Sequence, residues 1–237
     1  MTIPTIKKDT PYPDNTRGEG CIVLIDKPMD WTSFDVCKKI RGITKVKKVG
    51  HGGTLDPFAT GLLIVGIGKG TKQLATISQS DKTYRATITF GQANDSYDRT
   101  GNITQQGPWA GLTLDKIRTA LNKMSGVIEQ VPPMFSAKKV NGKRLYSLAR
   151  KGITIERKPV KVTIRDVDVL HWEAPELELM LTVSKGTYLR SYAHDLGRTL
   201  KVPALLSELR RVRVGNFSVD DSMDLDGFEC FWNKLVG

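Results

Sequence analysis

The stretch His51-Gly52-Gly53-Thr54-Leu55-Asp56-Pro57-Phe58-Ala59-Thr60-Gly61-Leu62-Leu63 decides the reading of this chain. It frames one carboxylate, Asp56, between glycines and a proline. Glycine turns the backbone where other residues cannot, and Pro57 fixes φ and withholds an N–H. The apolar run Leu62-Leu63-Ile64-Val65-Gly66-Ile67 follows at once, as a buried strand would. A rigid loop at the lip of such a strand suits a catalytic carboxylate. A tight turn capped by Asp satisfies the same residues, so the loop alone leaves both readings open.

Outward from the loop, Cys21 to Asp26 reads as a strand ending at Lys27-Pro28. Thr32 or Ser33 caps a helix to about Ile40, with Phe34, Cys37 and Ile40 on one face. Gly70 to Ser78 reads as a short helix, and Tyr84 to Phe90 alternates as a half-buried strand. Thr113 opens a helix whose Leu114, Ile117, Leu121 and Met124 share a face, closed by Gly126. Val127 to Val131 is a strand stopped by Pro132-Pro133, and Asn141-Gly142 marks a hairpin turn. Leu145 to Lys151 reads as helix, Val160 to Trp172 and Leu177 to Val183 as strands, and Tyr188 to Leu200 and Ala204 to Arg211 as helices. Strands and helices without a steady βαβ rhythm predict an α+β fold around a mostly antiparallel sheet.

The 237 residues suffice for a real core. The net charge is +11 and the pI near 9.6, which favours a polyanion partner, nucleic acid ahead of membrane. No apolar stretch approaches a bilayer span, and Met1 to Gly20 has no apolar signal core. Three widely spaced cysteines indicate neither a disulfide framework nor a zinc site, which fits a reducing, cytoplasmic setting. His51, His171 and His194 are too far apart for a helical metal pair, and Gly66 to Thr71 lacks the spacing of a phosphate or dinucleotide loop. No metal or organic cofactor is expected. Basic residues gather in three places: Lys38 to Lys48, Lys138 to Lys161 and Arg210 to Arg213. A single charge run is usually a solvated face; three flanking a carboxylate loop suit a phosphate backbone.

Gly50-His51-Gly52-Gly53-Thr54-Leu55-Asp56-Pro57 with Ala59-Thr60-Gly61-Leu62-Leu63 resembles the signature of the TruB family of pseudouridine synthases. Leu24-Ile25-Asp26-Lys27-Pro28 with Thr32-Ser33, Asp81-Lys82-Thr83-Tyr84-Arg85, Ser184-Lys185-Gly186-Thr187-Tyr188-Leu189-Arg190 and Leu209-Arg210-Arg211 match in order. The resemblance runs from about Gly20 to Phe217. It implies the pseudouridine synthase fold: a mixed, mostly antiparallel central sheet flanked by helices, with a basic inserted hairpin. The implied reaction isomerises uridine 55 in the T-loop of tRNA. It breaks the N1–C1′ bond, rotates the freed uracil and rejoins it through C5. No redox change is involved, so a carboxylate can act without a cofactor, on a nucleotide first flipped from its stack.

By the same resemblance Asp56 is the catalytic aspartate, Tyr84 stacks on the flipped base, and Arg190 pairs with the catalytic carboxylate. An arginine there would hold the carboxyl ionised. Leu209 walls the base pocket, His51 engages RNA by filling vacated space, and Lys27 with Pro28 supports the active site. Asp98 is either structural or an RNA contact. Lys138, Lys139, Lys143, Arg144, Arg150 and Lys151 are expected to grip RNA around the hairpin. The expected organisation is a polar extension over 1–19, a catalytic domain over 20–219 with the basic insertion at about 132–160, and a short acidic tail over 220–237. The C-terminal PUA-like module of many relatives is not expected. The partner is the tRNA T-arm, with no membrane, no obligate protein partner and a monomeric state. The alternatives are a non-catalytic tRNA-folding chaperone, or the same chemistry on another RNA.

Overall fold

The computed structural model describes residues 3–9, 20–136, 138–140 and 142–236. Most of the expected N-terminal extension, and Asn141 of the hairpin turn, therefore lie outside the described residues. In chain order the elements are β1 Thr5–Ile6, β2 Cys21–Lys27, α1 Ser33–Thr44, β3 Val49–His51, β4 Thr60–Ile67, α2 Leu74–Ile77, β5 Lys82–Phe90, β6 Gln92–Asn94 and β7 Ile103–Gln106. There follow α3 Leu114–Lys123, β8 Gly126–Gln130, β9 Lys139–Val140, β10 Lys143–Arg144, α4 Leu145–Ala149, β11 Val160–Glu173, β12 Glu176–Val183, α5 Leu189–Leu200, β13 Ala204–Val214, β14 Phe217–Ser218 and α6 Leu225–Val236. The fold is α+β. The chain divides into two compact units, Met1–Tyr84 with Leu209–Gly237, and Arg85–Glu208.

In the first unit β2 runs antiparallel to β4, from Cys21 opposite Ile67 to Lys27 opposite Gly61. β1 lies parallel on β2, β3 antiparallel on β4, and β13 parallel to β4 at Arg210 and Arg211. The sheet is therefore mixed. Val23, Ile25, Leu63 and Val65 pack on one face with α1 and with Phe228 and Trp232 of α6. Ile22, Leu24, Leu62 and Ile64 pack on the other with Leu74 and Val214. Burial on both faces is why β4 reads as an unbroken apolar run. A fully buried leucine or isoleucine here contributes about 1.5–3 kcal/mol of transfer free energy.

In the second unit β11 pairs antiparallel with both β12 and β8, and α3 packs against α5. The basic insertion is a hairpin, with Lys143 opposite Val140 and Arg144 opposite Lys139.

Three expectations are corrected. Ala204–Val214 is a strand where Ala204 to Arg211 reads as helix. Leu205, Leu206 and Leu209 imitate a helical stripe, but the hydrogen-bond ladder with β4 overrides that local preference. Residues 225–236 form a helix rather than a solvated acidic tail. Leu225, Phe228 and Trp232 recur at helical spacing and are buried, a period masked by the surrounding aspartates. Phe34, expected on the buried face of α1, is 62% exposed. The buried face is Ser33, Val36, Cys37, Ile40 and Thr44, and the helix runs past Ile40 to Thr44.

Candidate active site

The Asp56 loop leaves β3 and returns as β4. Gly52 N–H donates to Ile64 O at 2.8 Å, closing its base. Leu55, Phe58 and Ala59 are buried beneath it, and Ala59 N–H turns back onto Asp56 O at 3.1 Å. Asp56 itself is half-buried. Ser33, the first residue of α1, holds Leu55 twice: its Oγ accepts from Leu55 N–H at 2.9 Å and donates to Leu55 O at 3.3 Å. The start of α1 is set by Thr32, whose hydroxyl caps Asp35 N–H while the Asp35 carboxylate accepts from Thr32 N–H.

Two buried cations clamp the loop from opposite sides. Lys27, at the end of β2, is 0% exposed. Its ammonium donates to Pro28 O and Trp31 O at 2.7 Å each and to Pro57 O at 3.1 Å. Burial lowers its pKa to about 8, against the opposing pull of Asp30 and Asp56. Asp30 N–H also donates to Pro57 O, at 2.8 Å. Arg211, on β13, is 2% exposed. Its guanidinium donates to Leu62 O at 2.7 Å, Gly53 O at 3.1 Å and Thr54 O at 3.5 Å. Both cations are satisfied by backbone carbonyls, and the Lys27 charge interacts with that of Asp56.

Gly61 shows why this position tolerates no side chain. Its φ is +100°, and a Cβ would lie 2.3 Å from Arg211 O. Next to it, Arg210 forks onto Asp26 at 3.0 and 2.7 Å, locking β13 to β2.

His51 ends β3 and feeds the loop. It is half-buried, and its Nδ1 has no hydrogen-bond partner among the described residues. Burial, then the charge of Arg211, push its pKa below the ordinary imidazole value, so it is neutral at pH 7. Tyr84 and Leu209 are each 8% exposed. They lie in the same unit as Asp56, on β5 and β13.

Arg190 lies in the other unit, in the first turn of α5. Gln130 fixes that helix start: its amide donates to Tyr188 O at 3.1 Å and its Oε1 accepts from Tyr188 N–H at 2.8 Å. Arg190 is 3% exposed and meets Asp98, 4% exposed, at 3.5 Å between Nε and Oδ2. It also donates to Phe135 O at 2.8 Å and Ser96 O at 3.3 Å. Asp98 in turn accepts from Ser96 Oγ at 2.7 Å, Thr100 Oγ1 at 2.6 Å and Thr100 N–H at 2.9 Å. Asp98 is thus the buried partner of Arg190. In the basic insertion Arg150 and Lys151 are exposed and Lys138 is half-buried; the Arg150 guanidinium lies 5.5 Å from the Tyr146 ring centre. The side chains of Lys139, Lys143 and Arg144 lie outside the described residues. Among those described, no group of three or more His, Cys, Asp or Glu could hold a metal ion.

Residues 41–189 match the family described as TruB family pseudouridylate synthase (N terminal domain), and residues 190–234 match the tRNA pseudouridylate synthase B C-terminal domain. The chain belongs to the TruB family. It is 42% identical over 205 residues to a tRNA pseudouridine synthase B of Clostridium tetani, covering 86% of this chain and 71% of that one. A protein of the same name from Endomicrobium trichonymphae is 40% identical, with 91% and 95% covered. Among solved structures, the chain is similar to one in "Crystal Structure of a Cbf5-Nop10-Gar1 Complex" (TM-score 0.72, 27% identity). It is also similar to one in "Structure of H/ACA RNP bound to a substrate RNA containing 2'-deoxyuridine" (TM-score 0.68, 26% identity). It covers 97% and 91% of itself in these matches but only 60% and 55% of the solved chains.

Ser33 and Arg211 fall in segments that resemble the TruB blocks, but the sequence assigns neither a role at the Asp56 loop: Ser33 reads as a cap and Arg211 as part of a basic cluster. The signal for Arg211 is its place two residues after a buried leucine, which puts it on the same inward face once the segment is known to be a strand.

Proposed function

We propose that this protein isomerises uridine 55 to pseudouridine in the T-loop of tRNA, with Asp56 as the catalytic carboxylate. The observation that carries the reading is the Asp56 loop itself, held by Ser33, Lys27 and Arg211 through six contacts of 2.7–3.5 Å to its backbone and to the strand it enters. A protein that only bound or refolded RNA would need no such restraint on one carboxylate. The ~40% identity to proteins named tRNA pseudouridine synthase B supports tRNA as the substrate. Tyr84 and Leu209 supply the aromatic and apolar surfaces for the extruded uracil. Neutral His51 fills the space left by the flipped nucleotide. The exposed cations of the basic insertion hold the RNA backbone, and the reaction calls for no cofactor. The protein works alone, in the cytoplasm.

The test is chemical mapping of pseudouridine in an unmodified tRNA transcript after incubation with the protein. Modification confined to position 55, and absent from a transcript with cytidine there, is expected. Modification elsewhere, or of ribosomal RNA only, contradicts the proposed site.

A further inference from the structure

One surface of the first unit is left unused by this account. Its exposed face on α1 carries Phe34, Lys38, Arg41 and Lys45 at i, i+4, i+7 and i+11, one side of the helix. Exposed Lys47 and Lys48 extend it beyond the helix end. Phe34 lies 62% in solvent, with the Arg41 guanidinium 6.0 Å from its ring centre. Arg41 is braced by donating through Nε to Lys47 O at 3.2 Å. Lys45, Lys47 and Lys48 have no ion-pair partner among the described residues. Trp31, 37% exposed, stands just before the helix. The turn bearing it is rigid, because buried Lys27 bonds Trp31 O and Pro57 O together.

We propose that this face is a second RNA-binding track, taking the part of the substrate RNA that continues past the catalytic loop. The inference rests on the proposed action on tRNA. Two observations favour RNA over other occupants. The face pairs exposed aromatics with unpaired cations, the combination that stacks bases and neutralises phosphates, and its charge is complementary to nucleic acid. Its position also suits a continuing strand. The track starts at Ser33, bonded to the Asp56 loop, and extends about 16 Å along α1. Asp30, Asp35 and Glu229 line a groove with Trp31, Lys38 and Lys39, where Glu229 pairs with Lys39 and Asp35 offsets part of the Lys38 charge; Arg41, Lys45, Lys47 and Lys48 lie outside that groove.

The test measures binding of an unmodified tRNA transcript between 50 and 200 mM salt, alongside tritium release from C5-labelled uridine. The variants are Phe34→Ala and a Lys38→Ala, Lys45→Ala, Lys47→Ala triple; all four side chains are exposed, so melting temperatures should match wild type. The triple variant should bind at least tenfold more weakly and lose about 2 from its log–log salt slope. Phe34→Ala should weaken binding about tenfold with an unchanged slope. In both, KM rises while kcat stays within about twofold. Variants that match wild type in affinity and slope overturn the track. So does Phe34→Ala altering self-association but not RNA affinity, which would make the face a protein contact. A wild type that neither binds tRNA nor releases tritium overturns the function reading and the track with it; a wild type that does both, beside unaffected variants, overturns the track alone.

Discussion

The ammonium of Lys27 donates to the carbonyl of Pro57, 3.1 Å away and one residue past Asp56. The same group holds Pro28 O and Trp31 O. The last residue of one core strand thus positions the loop leading into the neighbouring strand. Replacing Lys27 with methionine removes the donor from three carbonyls, at about 1–3 kcal/mol for each left dry.

Titration of Lys27 gives the first prediction. Its folded pKa is about 8 against an ordinary 10.5. Between those values the unfolded chain binds more protons, so this group makes stability rise with pH. Activity should move the other way, because a neutral amine has two protons for three carbonyls. The pH–rate profile should fall through about pH 8 without a matching fall in melting temperature, and Lys27→Arg should push that limb upward. A flat profile to pH 9 removes Lys27 from control of the loop.

Arg211 leads to a second. Arg211→Gln strands Gly53 O, Thr54 O and Leu62 O and withdraws a positive charge from the site. We expect kcat to fall at least a hundredfold with KM nearly unchanged, and a melting curve that shows about 3 kcal/mol lost. Arg211→Lys, which keeps the charge but not the fork, should recover part of the stability and little of the rate. Full activity in Arg211→Gln would show that the loop holds its shape unaided.

The Arg190–Asp98 pair supplies a third. Breaking a buried ion pair from one side leaves a charge without its partner, at about 3–5 kcal/mol. Asp98→Ala should therefore be strongly destabilised in a denaturant titration. Asp98→Asn, which can still accept from Ser96 and Thr100, should fold yet lose most of kcat. Normal turnover by a folded Asp98→Asn protein would relegate the pair to stability alone.

Gly61 is the sharpest structural test. With φ at +100° and Arg211 O 2.3 Å from a new Cβ, Gly61→Ala must move β13 off β4. Urea denaturation should register a loss of about 2–4 kcal/mol. A variant as stable as wild type would contradict the close approach.

Much of this was legible in the sequence because the strands announce themselves. β4 is apolar throughout since both its faces are covered, and Thr32 and Thr113 cap the helices they precede. β13 was not legible: its leucines fall at spacings a helix also satisfies, and its ladders to β4 and β14 decide between them. α6 hid its apolar period among aspartates. Phe34 reads as inward because sequence spacing alone does not say which of two adjacent stripes meets the core. Of the site, the Asp56 loop stood out through its glycines and proline. Ser33 acts through backbone groups of a segment distant in sequence, which leaves no local pattern to read, and the alternation that points Arg211 inward is legible only once its segment is known to be a strand.

The most direct measurement is tritium release from C5-labelled uridine in an unmodified tRNA transcript, comparing wild type with Asp56→Asn. Release by wild type that vanishes in a variant with unchanged tRNA affinity is the expected result. Release that persists in Asp56→Asn, or a wild type that binds tRNA and releases nothing, would contradict Asp56 as the catalytic carboxylate.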